Sequence, residues 1–183
     1  MNMIPPRSSH QSGKDRVVAV VQGEYRISRE KDVVMSTVLG SCVAACIYDA
    51  DMNIGGLNHF LLPGDARSGS AELKYGSMAM ELLINELLKA GARRHNMKVK
   101  LYGGARISAG LSNVGEKNIA FARDYVKREG FPVVDESLGG SQARRIHFRP
   151  SNGDVKLNLV APAQAPAERI ERAKKPAPDI TLF

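Results

Sequence analysis

A chain of 183 residues is long enough to bury the core of one domain without disulfide staples. It contains no apolar run of the length of about 18 residues that a membrane-spanning helix needs. The net charge of +7 favours an acidic partner surface, while aromatics at 5%, the absence of Trp and the lack of a basic helical stripe argue against nucleic acid.

Residues 1–15 are polar, with Pro5-Pro6 and several Ser, and read as a mobile tail. They hold no apolar stretch of the kind a secretory signal uses, so a soluble, cytosolic protein is expected. The domain proper is expected over residues 16–160. Its first β-rich runs are residues 16–21, 32–37 and 40–48. Residues 49–53 (DADMN) have turn chemistry, and 54–62 return as a strand, which predicts a hairpin. Over residues 73–90 the period changes to that of a helix, with Met80, Leu83, Ile84, Leu87 and Leu88 on one face and Gly91 as the stop. Met78, with Met80, Leu83 and Leu87, is read as core and not as a binding stripe.

Residues 98–102 alternate as a strand and end at Gly103-Gly104. A second helix is predicted from about Glu116 to Arg128, with Ile119, Ala122, Tyr125 and Val126 on one face and Gly130 closing it. Residues 131–138 form a further strand, and 145–149 and 155–160 pair across an Asn-Gly turn at 152–153. Residues 161–183, rich in Pro and Ala, read as a second tail without a core of its own. The fold class expected is α+β: a layered sandwich of mixed β-sheet with two main helices packed outside.

Two cysteines, Cys42 and Cys46, are too few for a disulfide framework. Four residues apart in one strand, they would stand about 13 Å apart, too far for a bond. Cys42 has two readings. A cysteine in a hydrophobic strand packs as a small apolar residue. A cysteine attacks when a neighbouring histidine lowers its pKa. His10, His95 and His147 lie in a tail, a polar loop and an arginine-flanked strand, whereas His59 lies in the strand expected to pair with that of Cys42. Counting six or seven residues from the turn puts 42 and 59 near each other. Gly40-Ser41 before the thiol would let a substrate approach backbone N–H groups able to hold an oxyanion. Zinc is not expected, because Cys42, Cys46 and His59 form no recognised ligand set.

At these residues the chain resembles the CheD family of chemoreceptor glutamine deamidases. The resemblance is carried by TVLGSCVAACIYD (37–49), GGLNHFLLP (55–63), YGSMAMELLINELLKAGA (75–92), LYGGA (101–105), NVGEKNIAFARDYVKREG (113–130) and ESLGGSQARRIHFRPSNGDV (136–155). It implies a fold like that of deamidating-toxin cysteine hydrolases. It further implies Cys42 as nucleophile, His59 as base and a hydroxyl residue that orients the histidine. Counting back from Cys42, that residue is Thr37, which keeps the residue type, or Ser36 as the alternative. No cofactor or metal is implied. The implied partners are the cytoplasmic helices of methyl-accepting chemotaxis receptors, and in some bacteria a CheC-type phosphatase. Arg93, Arg94, Lys98, Lys100, Arg144, Arg145 and Arg149 are candidates for attracting such acidic helices. A non-enzymatic adaptor with Cys42 in the core is the competing class.

Overall fold

The computed structural model describes residues 2–4, 14–62, 69–107 and 112–161. Nine strands and two α-helices follow in order among them: β1 Arg16–Ala19, β2 Tyr25–Ser28, β3 Val33–Leu39, β4 Val43–Asp49, β5 Ile54–Phe60, α1 Gly69–Lys89, β6 Lys98–Gly103, α2 Ser112–Arg128, β7 Val133–Leu138, β8 Arg144–Arg149 and β9 Asp154–Leu159. A short 3-10 turn at Arg94–Asn96 precedes β6. No helix among the described residues is long and apolar enough to cross a membrane.

The strands form two sheets, with orders β1-β3-β8-β9 and β2-β5-β4-β6-β7. Each is mixed: β1 runs parallel to β3 and β6 parallel to β7, while the other pairs are antiparallel. The β6–β7 pair needs a crossover, which α2 supplies. Both expected hairpins are present, β4 with β5 and β8 with β9. The fold class is therefore the α+β layered arrangement that the pattern implied, and the β content divides into two layers.

Alternation along β4 builds the layers. Val43, Ala45 and Ile47 join Phe60, Met80, Leu83 and Phe121 in a core between the five-stranded sheet and the helices. Cys42, Ala44, Cys46 and Tyr48 face the other way, joining Met35, Leu39, Ile146 and Phe148 between the two sheets. Each fully buried side chain of this size contributes about 1.5–3 kcal/mol. Both helices end alike: Gly91 N–H and Ala92 N–H donate to Leu88 O and Leu87 O, and Gly130 N–H and Phe131 N–H donate to Lys127 O and Val126 O.

Several expectations change. Cys42 does not lie in a strand: Gly40, Ser41 and Cys42 form the bend where the chain leaves one sheet, at the end of β3, and enters the other at β4. Strand β2, a short edge strand of mixed polarity, escaped the periodicity. Helix α2 begins earlier than Glu116, at Ser112. Met78 is 53% exposed, on the face of α1 opposite Met80, Leu83 and Leu87. Of the expected polar tail, residues 2–4 lie along β2, with Ile27 N–H donating to Asn2 O and Ile4 N–H to Ile27 O. Residues 5–13 and 162–183, which hold most of both expected tails, lie outside the described residues.

Candidate active site

Residue alternation puts Thr37 and His59 in the seam between the sheets. Val33, Met35 and Leu39 of β3 face that seam, and Thr37 keeps their phase. Leu57 of β5 faces it too, and His59 follows two residues on. The two side chains meet there, with Thr37 Oγ1 2.9 Å from His59 Nδ1. Ser36 falls on the other face of β3 and pairs through its backbone with His147.

His59 stands opposite Ala44 rather than Cys42, because Cys42 belongs to the bend before β4. Cys42 and Ala44 share the buried cluster into which β5 points, so the thiol and the imidazole lie at one end of the seam. Val20 O lies 3.5 Å from His59 Nδ1 and can only accept. This assigns the ring proton to Nδ1 and leaves Nε2 as the basic nitrogen. That Nε2 is buried and has no hydrogen-bond partner among the described residues. Burial pushes the His59 pKa down to about 4, opposed by the Val20 bond, so the ring is neutral at pH 7.

This shift has a consequence for stability. The unfolded chain, with His59 near its ordinary value of 6.5, takes up a proton before the folded chain does. Stability therefore falls as pH drops from about 6.5 to about 4, by on the order of 3 kcal/mol from this group, and levels off below. Urea denaturation at pH 7 and pH 5 should show a smaller loss in His59→Gln than in the wild type.

The bend carrying the thiol is anchored through three successive carbonyls. Gly40 O accepts from Ala105 N–H at 2.7 Å, Ser41 O from Asn118 Nδ2 at 2.9 Å, and Cys42 O from Gly104 N–H at 2.7 Å. A Cβ on Gly103 would lie 2.1 Å from Cys42 O, so only glycine allows this approach. Asn118, fully buried on α2, also accepts from Leu62 N–H at 2.8 Å. One side chain thus ties the thiol bend to the segment that follows β5. Asn118→Ala strands a buried donor and a buried acceptor, at about 1–3 kcal/mol each. A fall of about 2–4 kcal/mol in urea-denaturation stability is expected.

Sequence reasoning missed Asn118, Val20 and Gln22. Asn118 had a signal: it shares the buried helical face of Ala122 and Tyr125. Val20 and Gln22 had none, because the residues after β1 come to the site only through the packing of the two sheets. Gln22 Oε1 accepts from Cys42 Sγ at 3.4 Å. Cys46, fully buried, has its thiol pKa raised far above the ordinary value, by desolvation first, which makes it inert.

Of the cations expected to attract an acidic partner, Arg144 is 4% exposed and donates to Ser137 O, Ser137 Oγ and Gly139 O, so it braces a loop. Arg149 pairs with Asp15 and Arg94 with Glu129. Arg93, Lys98 and Arg145 are exposed. Among the described residues no group of three or more His, Cys, Asp or Glu is placed to hold a metal ion.

What the fold and the site define is an α+β double-sheet domain with a thiol and a buried, oriented imidazole at one end of the seam. The family model described as "CheD chemotactic sensory transduction" matches residues 61–159, more than half of the chain. Relatives extend the likeness across Cys42 and His59. "Probable chemoreceptor glutamine deamidase CheD" of Caulobacter sp. strain K31 is 47% identical over 97% of this chain and 94% of its own length. Proteins of the same name from Caulobacter vibrioides strain NA1000 / CB15N and Acidiphilium cryptum strain JF-5 are 46% and 44% identical, covering 96% and 92% of this chain and 99% and 94% of their own lengths. The chain belongs to the CheD family.

Proposed function

We propose that this protein deamidates glutamine side chains of methyl-accepting chemotaxis receptors to glutamate, with Cys42 as nucleophile, His59 as base and Thr37 as the residue that orients the ring. The observation that carries this reading is the Thr37–His59 contact, which leaves a buried, unpartnered Nε2 at the end of the seam that holds Cys42. The names of these relatives supply the substrate class.

In the mechanism, His59 Nε2 takes the Cys42 proton and the thiolate attacks the glutamine Cδ. The peptide plane sets each N–H antiparallel to the preceding carbonyl. The carbonyls of Gly40 and Ser41 are held by Ala105 and Asn118, and in this reading the N–H groups on the opposite edges of those two peptide planes, of Ser41 and Cys42, hold the developing oxyanion. His59 returns the proton to the leaving ammonia. It then activates the water that hydrolyses the thioester, giving glutamate and the free thiol. A glutamate methyl ester presents the same acyl carbon with methanol as leaving group, so methylesterase activity follows as a secondary reaction.

The adaptor alternative, in which the domain only binds and stimulates a CheC-type phosphatase, gives the buried Thr37–His59 contact no role. The deciding test is mass spectrometry of a receptor cytoplasmic fragment incubated with the full-length protein. Amide-to-acid conversion at discrete glutamines is expected. A fragment whose glutamines stay intact would remove this substrate.

A further inference from the structure

We propose that the Gln22 side chain occupies, in the free protein, the position at Cys42 that a substrate carboxamide takes, and that substrate binding displaces it. This rests on the reading of Cys42 and His59 given above and adds to it what stands over the thiol before substrate arrives.

Gln22 is at the tip of a turn whose geometry is fixed. Glu24 N–H donates to Val21 O at 3.0 Å, and Gly23 follows Gln22 with φ 84°, the type II signature that demands glycine. The turn is fastened to the backbone of His59 from both sides: Gly23 N–H donates to His59 O at 2.8 Å, and His59 N–H donates to Glu24 O at 2.9 Å. Val20, at the entry to the turn, donates its N–H to Ser36 O and offers its carbonyl to His59 Nδ1. The turn therefore arches over the end of the seam as part of the site.

From that tip the carboxamide reaches the thiol, with Gln22 Oε1 accepting from Sγ at 3.4 Å. Two observations give the contact meaning. The group is chemically the one the proposed reaction acts on. And His59 Nε2, 7% exposed as a residue and buried at the atom, has no hydrogen-bond partner among the described residues while the thiol donates to Gln22. A bond donated by S–H favours the neutral thiol and disfavours the thiolate. With Gln22 in place, the proton is held away from the base. When a substrate glutamine enters and Gln22 swings out, the thiol turns to Nε2 and becomes the nucleophile. The turn backbone stays fixed through its His59 bonds, so only an exposed side chain has to move.

The test uses the full-length protein and iodoacetamide, itself a carboxamide, with labelling of Cys42 followed by mass spectrometry at one fixed pH. Gln22→Ala removes both bulk and acceptor, and Gln22→Met keeps the length but not the carboxamide. Both variants should label about 2- to 10-fold faster than wild type, the range of one neutral hydrogen bond. With a receptor fragment, Gln22→Ala should lower KM and keep kcat, since the competent state no longer has to be uncovered. Equal labelling rates in all three proteins overturn the proposal. So does a fall in kcat at unchanged KM, which would make Gln22 a donor to the transition state. Labelling needs no receptor, so the two readings fail separately. Receptor glutamines left intact with separated labelling rates would sink the deamidase assignment alone. Conversion with coincident rates would sink the occupancy of Gln22 alone.

Discussion

Receptor glutamines incubated with Cys42→Ala are expected to remain glutamines, and those incubated with wild type to be converted. The expected loss in kcat is about 10⁴-fold or more, as for removal of any nucleophile that forms the covalent intermediate. The change leaves Cβ in place and removes one sulfur from a site that is 3% exposed, so stability falls by about 1 kcal/mol and the fold persists. A urea denaturation curve close to that of the wild type, beside an inactive protein, separates lost chemistry from lost structure. Cys46→Ala is the control. Its thiol faces the same inter-sheet core but is fully buried and held protonated, so conversion continues in that variant. Equal conversion by wild type and Cys42→Ala would return Cys42 to the core and favour the adaptor.

His59 carries the second large effect. His59→Gln removes the proposed base, and kcat/KM for receptor glutamine conversion is expected to drop by about 10³- to 10⁴-fold. Thr37→Val keeps the shape and deletes the hydroxyl 2.9 Å from Nδ1, so the ring loses a positioning contact and not its basicity. A decrease of about 10-fold in kcat is expected, with KM held and activity restored by Thr37→Ser. Because burial lowers the His59 pKa to about 4, the acid limb of the wild-type kcat/KM profile belongs near pH 4 and not near 6.5. A limb at 6.5 would mean that another group, or a solvated His59, acts as the base.

Much of this domain was legible in one dimension. Period-2 runs located most strands, and the 3.6 period located α1 and α2, because these sequences repeat the geometry of their own backbone. Asn152-Gly153 and the turn at 49–53 implied the two hairpins that form. Strand β2 was not legible, since four residues of mixed polarity at a sheet edge carry too short a pattern. Met78 was misassigned because it was grouped with its apolar neighbours by type, although its helical phase puts it on the opposite face of α1.

Residue type and the hairpin count marked Cys42 and His59 as a pair to examine, and the family resemblance put Thr37, with Ser36 as the alternative, beside the histidine. Only the tertiary structure decided between those two at the ring, through the face of β3 that turns toward the seam. It also moved Cys42 out of the strand and into the bend between sheets, and it brought Val20, Gln22 and Asn118 to the site from β1's exit and from α2. The physical reason is the same in each case. Periodicity reports which face of its own element a side chain occupies, whereas contacts among β1's exit, β3, β5 and α2 depend on how two sheets and a helix layer stack. That stacking is set by long-range burial, which no local window of the chain contains.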